Sequence, residues 1–251
     1  MGSSLLRFFA YLFLALTVIT SFSGIILFGW YQSHLRAARR SVFLGHNRAS
    51  IRHLDSCRQI RPDNPELLLL CARVARRAGN WLEAEDLLDR VWKQQGDSDD
   101  LVLERLLLRA SRGELDQTMP VLLPRIQLQS PESSLAREAI IFGLLYQFRL
   151  LEADRQIEGW LQAEPDRAMA WFQKGKREEL RDATPDAILA YQKALELDSD
   201  YDEAALRLLP LLLQEYKLEE AAAVLESFRD RLGEQPEMQT HTAHLLIYRE
   251  R

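Results

Sequence analysis

Six small residues recur along this chain at an almost fixed interval. Five successive gaps of 34, 34, 35, 34 and 34 residues separate Ser50, Ala84, Thr118, Ala153, Ala187 and Ala221. A small side chain on such a period is what close contact between the helices of a stacked array requires. Glycine is scarce at 11 of 251 residues, as is typical of helical proteins. The sequence therefore predicts an all-α fold, a solenoid of repeated helix pairs.

The pattern is clearest in residues 168–201. Positions 4, 8, 20, 24 and 27 of this 34-residue unit are Trp171, Gly175, Ala187, Tyr191 and Ala194. That arrangement closely resembles the tetratricopeptide repeat, a helix–turn–helix module. The resemblance implies a right-handed α-solenoid of about six such repeats, which binds other proteins and is not an enzyme.

Extending this register in both directions divides the whole chain. It predicts a flank at residues 1–7, an apolar helix at 8–31, a degenerate first repeat with a basic stem at 31–64, repeats at 65–98, 99–132, 134–167, 168–201 and 202–235, and a capping helix at 236–251. Pro120 and Pro124 fall inside the second helix of the third repeat, and Pro210 inside the first helix of the sixth. We expect a kink or a shortened helix at each, because proline removes a backbone hydrogen bond.

An uncharged apolar segment runs from Phe8 to Tyr31. Its length of about 36 Å as a helix is enough to cross a hydrocarbon core of about 30 Å. It is also longer than the apolar part of a cleavable signal peptide, which usually has about 7–15 residues. The segment therefore predicts a transmembrane signal-anchor helix, a single-pass membrane protein and the lipid bilayer as a partner.

Charge is distributed unevenly along the chain. Residues 1–62 contain eight arginines and one acidic residue, a net charge of +7, so the remaining residues carry −12 of the total of −5. The basic flank after the apolar segment favours a cytoplasmic solenoid by the positive-inside rule, with a periplasmic or extracytoplasmic solenoid as the alternative. An acidic body argues against nucleic acid as a partner.

No catalytic, metal or cofactor site is predicted. Cys57 and Cys71 have no metal-type spacing, and both a pair of buried thiols and a disulfide are compatible with the sequence. His241 and His244 lie one helical turn apart, but no third ligand follows at a matching spacing. The chain also lacks a nucleophile–base motif and a glycine-rich phosphate loop.

The resemblance implies that the first helix of each repeat lines a concave groove. The candidate groove residues are Arg73, Arg76, Arg77, Leu103, Leu107, Phe142, Tyr146, Phe172, Lys176 and Glu179. A peptide with acidic and apolar residues would suit such a surface. Two alternatives stay open: the apolar candidates can be inter-helix core, and the three arginines a solvated face.

Our first functional hypothesis is a membrane-tethered, non-catalytic scaffold that binds proteins or peptides. The alternatives are an exported assembly factor for envelope or cytochrome maturation, and a regulatory subunit of an enzyme complex. Self-association through the repeat faces is a further hypothesis. A receptor for chaperone tails is disfavoured, because the asparagines of that clamp have no counterpart on the first helices; this chain has only Asn47, Asn64 and Asn80, all at turns.

Overall fold

The computed structural model describes residues 24–128 and 132–249, and all the regular secondary structure in these ranges is helical. The thirteen helices are α1 (24–44), α2 (Asn47–Arg58), α3 (Pro65–Arg77), α4 (Trp81–Gln95), α5 (Asp99–Ser111), α6 (Leu115–Gln127), α7 (Ser133–Tyr146), α8 (Leu150–Ala163), α9 (Ala168–Glu179), α10 (Thr184–Leu197), α11 (Asp202–Gln214), α12 (Leu218–Leu232) and α13 (Pro236–Arg249). Helices that follow one another in the chain pack together, and so do alternate helices such as α5 and α7. The prediction of an all-helical solenoid is confirmed.

The recurring small residues lie inside the stack. All six of them are fully buried. Gly175 shows why bulk is excluded at such contacts, because a Cβ added there would lie 2.5 Å from the ring of Tyr191. A carbon at that distance cannot be accommodated without moving the ring, so the contact between α9 and α10 depends on glycine.

The turn between the two helices of a pair contains a residue with a left-handed backbone. This residue is glycine in the first three pairs and Phe148, Asp182 or Tyr216 in the next three, with φ between 55° and 93°. The amide after it donates to the carbonyl five residues back, as Asn80 does to Ala75 at 2.9 Å. This is a Schellman motif, which satisfies the last carbonyls of the preceding helix.

The three helix prolines do not end their helices. Pro120 and Pro124 lie within α6 and Pro210 within α11, and each of these helices has 13 residues, as α3 and α5 do. The expected shortening is absent in α11, whereas α6 is one or two residues shorter than the second helices α4, α8, α10 and α12. All three prolines are exposed, so water can reach the carbonyls that they leave unbonded.

The prediction of a single-pass membrane protein was wrong. Among residues 24–128 and 132–249, no helix combines the length and the apolar character that crossing a bilayer requires. The part of α1 beyond Trp30 packs onto the solenoid through a stripe that includes Tyr31, Leu35 and Val42, and it carries exposed arginines on its other side. Residues 8–23, most of the predicted span, lie outside the described residues.

Candidate binding site on the inner wall

A buried group of charges lies where α3 meets α7. The guanidinium of Arg77 donates two hydrogen bonds of 2.6 Å to the carboxylate of Glu138, and Arg76 donates to Ser111 at 3.0 Å and to Glu138 at 3.5 Å. Burial by itself would raise the pKa of Glu138, but the charges of Arg77 and Arg76 outweigh it and lower the pKa to about 2. The carboxylate is therefore ionised in the folded protein, and the guanidinium groups of both arginines are bonded to it.

Arg73 is also used within the chain. Its Nε donates to Oε1 of Glu104 at 2.8 Å, and the Glu104 side chain is almost fully buried. The three candidate arginines thus have carboxylate partners on α5 and α7. Arg73 joins α3 to the next repeat, Arg76 and Arg77 join it to the repeat after that, and the three arginines are not a solvated face.

Next to these charges, aromatic rings and one lysine form a continuous set, which we call the aromatic row: Trp81, Phe142, Tyr146, Phe172 and Lys176. Trp81 meets Phe142 edge-on at 5.6 Å and Tyr146 at 6.4 Å between ring centroids. The ammonium of Lys176 lies 4.5 Å from the centroid of Phe142. Tyr146 is 59% exposed and the others are half-buried, so the row opens to solvent at its Tyr146 end.

At its other end the aromatic row borders a small cavity of about 40 Å³. Phe172 and Lys176 line it, together with Arg77, Glu138 and Tyr201. The cavity is closed by residues Gly45 and Asn47, which belong to the turn between α1 and α2. A cavity of this size has room for water only, because an amino-acid side chain is larger.

That turn, residues 43–48, lies against helices that are more than a hundred residues away in sequence; we call it the first turn. His46 Nε2 lies 2.7 Å from Oδ2 of Asp198, and the backbone amide of Arg48 donates to Glu203 at 3.1 Å. Arg167 reaches back to the first turn and donates to the carbonyl of Phe43 at 2.7 Å. The first repeat is therefore bonded to the fifth and sixth across the inner wall.

The contact between His46 and Asp198 is charge-assisted. Burial acts to lower the pKa of His46, but the hydrogen bond and charge of Asp198, helped by Glu203 and Asp202, raise it above its ordinary value. The pKa of Asp198 is lowered, since its hydrogen bond and charge interaction with His46 outweigh burial. Both shifts favour the charged pair in the folded protein.

The ten candidate residues have different environments. Leu103 and Leu107 are inter-helix core, and Glu179 is bonded to Tyr191 and to Arg207. The three arginines are paired, as described above. Phe142, Tyr146, Phe172 and Lys176 are brought together in the aromatic row, and their role as a binding site stays a prediction.

Sequence reasoning missed several residues of this region. Trp81 is the first residue of α4, after Gly79 and Asn80, and was read only as part of a turn. Glu104 and Glu138 were missed as partners of the arginines, although both lie on first helices that the repeat period places side by side. No local sequence pattern predicts that His46 and Arg48 contact Asp198 and Glu203.

The two thiols form no further site. Cys57 and Cys71 are both free and buried, and burial raises the pKa of each thiol. In the part of the chain that the structure describes, no three histidine, cysteine or carboxylate side chains are arranged to hold a metal ion.

A family model supports the repeat fold over part of the chain. A family model described as tetratricopeptide repeat matches residues 45–106, from the first turn into α5. No curated protein matches the sequence. The similar solved structures include PilW, a type IV pilus biogenesis factor, with 13% identity and a TM-score of 0.49 over 84% of this chain and 97% of that one. PilF of Pseudomonas aeruginosa has 12% identity and a TM-score of 0.45 over 86% and 98% of the two chains. TTC0263 of Thermus thermophilus, a tetratricopeptide repeat protein, has 18% identity and a TM-score of 0.41 over 86% and 99%.

Proposed function

We propose that this protein is a non-catalytic scaffold that binds a segment of another protein at the open end of the aromatic row. The tetratricopeptide-type fold supports the general role, because stacked helix pairs present extended surfaces to partner proteins. The observation that carries the proposed site is the environment of Lys176. Its ammonium is half-buried against Phe142, and none of the described residues forms an ion pair with it.

The charge at Lys176 is poorly compensated. Burial, followed by repulsion from Arg207, lowers the pKa of Lys176 to about 8 in spite of Glu138 and Glu179. An additional negative charge would therefore stabilise the ammonium. A carboxylate on a partner segment would supply that charge, in a place where the nearby arginines are already paired.

The neighbouring rings define the rest of the partner. Tyr146 and Trp81 offer rigid aromatic surface, and such rings are favoured anchors of protein interfaces because they bury a large area at a low entropic cost. A partner segment that places an aliphatic or aromatic side chain on Tyr146 and a carboxylate near Lys176 would use both features. The first turn closes the far end of the row, so the segment would enter from the Tyr146 side.

Binding of labelled peptides tests this proposal. The probe is a fluorescein-labelled peptide that alternates aspartate with leucine and phenylalanine, and the comparison peptide has lysine in place of aspartate. We expect Tyr146→Ala and Lys176→Gln to weaken binding of the acidic peptide at least tenfold, about 1.4 kcal/mol each. The matched control is Tyr216→Ala, which removes a tyrosine that is 70% exposed at another turn and should leave the affinity unchanged. Equal binding of both peptides, or equal effects of the two tyrosine substitutions, would show that the site is elsewhere.

The affinity of the acidic peptide should also depend on pH. Because Lys176 has a pKa of about 8 in the unbound protein, the affinity should fall between pH 7 and pH 10 as the ammonium loses its proton. Lys176→Arg keeps the charge at all these pH values and should remove the dependence. A pH profile that is the same in Lys176→Arg would mean that another group is responsible.

A further inference from the structure

Two histidines meet between α1 and α2. Nδ1 of His34 lies 3.2 Å from Nδ1 of His53, and the centroids of the two rings are 5.3 Å apart. The residues are 19 positions apart in sequence and lie on different helices, so the fold brings them together. Both are half-buried, and no acidic side chain among residues 24–128 and 132–249 is bonded to either ring. The pair is therefore accessible from solvent and uses its ring nitrogens only for each other.

The separation of the two nitrogens suits two ligands of one metal ion. Bonds of about 2.0–2.1 Å from Zn²⁺ to imidazole place two ligand nitrogens about 3.3–3.4 Å apart at a tetrahedral angle and about 2.8–3.0 Å apart at a right angle. The observed 3.2 Å lies between these values. When both rings carry their proton on Nε2, both Nδ1 atoms offer a lone pair to the ion.

The surroundings restrain one ring and leave the pair open to water. The ring of Trp30 lies 4.1 Å from that of His34 between centroids, which limits the rotation of the imidazole. Arg52 precedes His53 and carries a positive charge that opposes a cation, but its side chain is exposed, so water and salt screen the repulsion. Both histidines are thus available to an ion at neutral or slightly alkaline pH.

We infer that His34 and His53 bind one divalent transition-metal ion, of the class of Ni²⁺, Zn²⁺ and Cu²⁺, between α1 and α2. Imidazole nitrogen suits these ions, whereas Mg²⁺ and Ca²⁺ prefer oxygen ligands. Water would complete the coordination, because no set of three histidine, cysteine or carboxylate ligands is found in the described ranges. The ion would stabilise the folded protein, since only the fold brings the two rings together. This inference does not depend on the site at the aromatic row.

The first test is calorimetric titration of the full chain, prepared without a histidine tag, with NiCl₂ at pH 8. At this pH an imidazole of ordinary pKa is neutral and can bind the ion. We expect one Ni²⁺ per chain, a higher Tm in excess Ni²⁺ or Zn²⁺, and no effect of MgCl₂. Failure to bind Ni²⁺, or an equal response to Mg²⁺, would overturn the inference.

A second pair of histidines provides the matched control. His241 and His244 lie one turn apart on α13, so a nonspecific response to imidazole would involve them as well. His53→Ala should weaken Ni²⁺ binding at least tenfold and remove the rise in Tm, and His34→Gln should do the same, whereas His244→Ala should leave both unchanged. Circular dichroism checks that each variant is folded. If His244→Ala weakens binding as much as His53→Ala, the inference is wrong.

Trp30 supplies a spectroscopic readout at the site itself. Bound Cu²⁺ quenches the fluorescence of a nearby indole, and Trp30 is in contact with His34. We expect Cu²⁺ to quench the parent more strongly than either His53→Ala or Trp30→Phe. Equal quenching in the three proteins would place the ion elsewhere in the chain and contradict the assignment to this pair.

Discussion

Glu138 and the two arginines that hold it illustrate what single residues contribute to this solenoid. A buried charge is stable only when it is paired and hydrogen-bonded, and the carboxylate of Glu138 has two guanidinium partners. Such a group connects α3 to α7, although α4, α5 and α6 lie between them in the chain. The group stabilises the stack through this connection. Removing one charged partner would leave the remaining charges buried without an opposite charge.

Replacing Glu138 by glutamine should therefore lower the free energy of unfolding by about 3–5 kcal/mol at pH 7, as is typical when one partner of a buried pair is lost. The folded-state pKa of about 2 lies below the ordinary value, so the contribution of the carboxylate is complete above about pH 4.5 and is lost as the pH falls toward 2. Urea unfolding at several pH values measures both effects.

The control for this substitution is Glu85→Gln. Glu85 pairs with Arg112 at the surface, where both side chains are at least 40% exposed, so its loss should cost less than about 1 kcal/mol. A similar cost for both variants would mean that the buried cluster adds nothing beyond a surface ion pair.

At the scale of the elements, each helix pair depends on two local features, a left-handed residue in the turn and a small residue at the contact between the helices. Glycine adopts the left-handed backbone without strain, whereas other residues pay roughly 1–2 kcal/mol. Gly79 has φ of +78°, and a Cβ added there would meet only Trp81, at 4.0 Å. The requirement for glycine at this position is thus conformational and not one of space.

Two glycine-to-alanine substitutions should accordingly have opposite effects. Gly79→Ala should lower the free energy of unfolding by about 1 kcal/mol through backbone strain. Gly159→Ala, within α8, should raise it by about 0.5–1 kcal/mol, because alanine is the better helix former and its Cβ finds only an ordinary contact at 3.8 Å. Thermal unfolding of the two variants measures the difference, and equal shifts in Tm would contradict this explanation.

The small residue at the helix contact permits a separate prediction. Ala187 is fully buried in α10, so Ala187→Leu should overpack the stack and lower the free energy of unfolding by about 1–3 kcal/mol. Leu189→Ala, on the exposed side of the same helix, is the control and should change stability little. If Ala187→Leu unfolds at the temperature of the parent, the repeat register that we assign is wrong.

At the scale of the whole molecule, the first turn links repeats that are not neighbours in the solenoid. In an extended array each repeat contacts only its neighbours, so stability is a sum of local terms. Here the first turn bonds the first repeat to Asp198 and Glu203, and Arg48 also donates to Gln235 at 3.0 Å. Local unfolding at one end of the solenoid should therefore lower the stability of the other end.

The double variant His46→Ala and Arg48→Ala removes the side-chain bonds to Asp198, Gln235 and Glu237 and should loosen the C-terminal end of α10 and the start of α13, although these are more than a hundred residues away in sequence. Hydrogen exchange should show faster amide exchange there, while α6 and α8, to which none of these bonds runs, serve as the internal control. Unchanged exchange at the end of α10 and in α13 would indicate that the side-chain contacts of the first turn contribute nothing to coupling the two ends.

The link to Asp198 should also respond to pH. A raised pKa of His46 in the folded protein means that its contribution is complete below about pH 6.5 and is lost as the pH rises through the folded-state pKa. The difference in unfolding free energy between the parent and His46→Ala should therefore shrink from pH 6 to pH 9. Leu189→Ala, which removes no titratable group, should show no such trend. A difference that grows with pH would contradict the assignment of the charged pair.

The sequence by itself determined the helical repeat, because the packing of each helix on the next depends on a small residue that recurs in every unit. The left-handed turn residue is glycine, and so recognisable in the sequence, only in the first three pairs. It also placed Phe142, Tyr146, Phe172 and Lys176 on first helices, where they meet. Hydropathy alone, however, led to the wrong prediction of a membrane protein. In the described part of the apolar segment, residues 24–30 are exposed, and α1 packs on the solenoid only from Tyr31 onward.

Only the tertiary structure decided that the candidate arginines are paired and that the first turn is bonded across the inner wall to the fifth and sixth repeats. These features depend on the curvature of the array, which accumulates from small rotations at every contact between repeats. No single unit contains that information. Residues such as His46 and Asp198, 152 positions apart, therefore meet for reasons that local sequence patterns do not express.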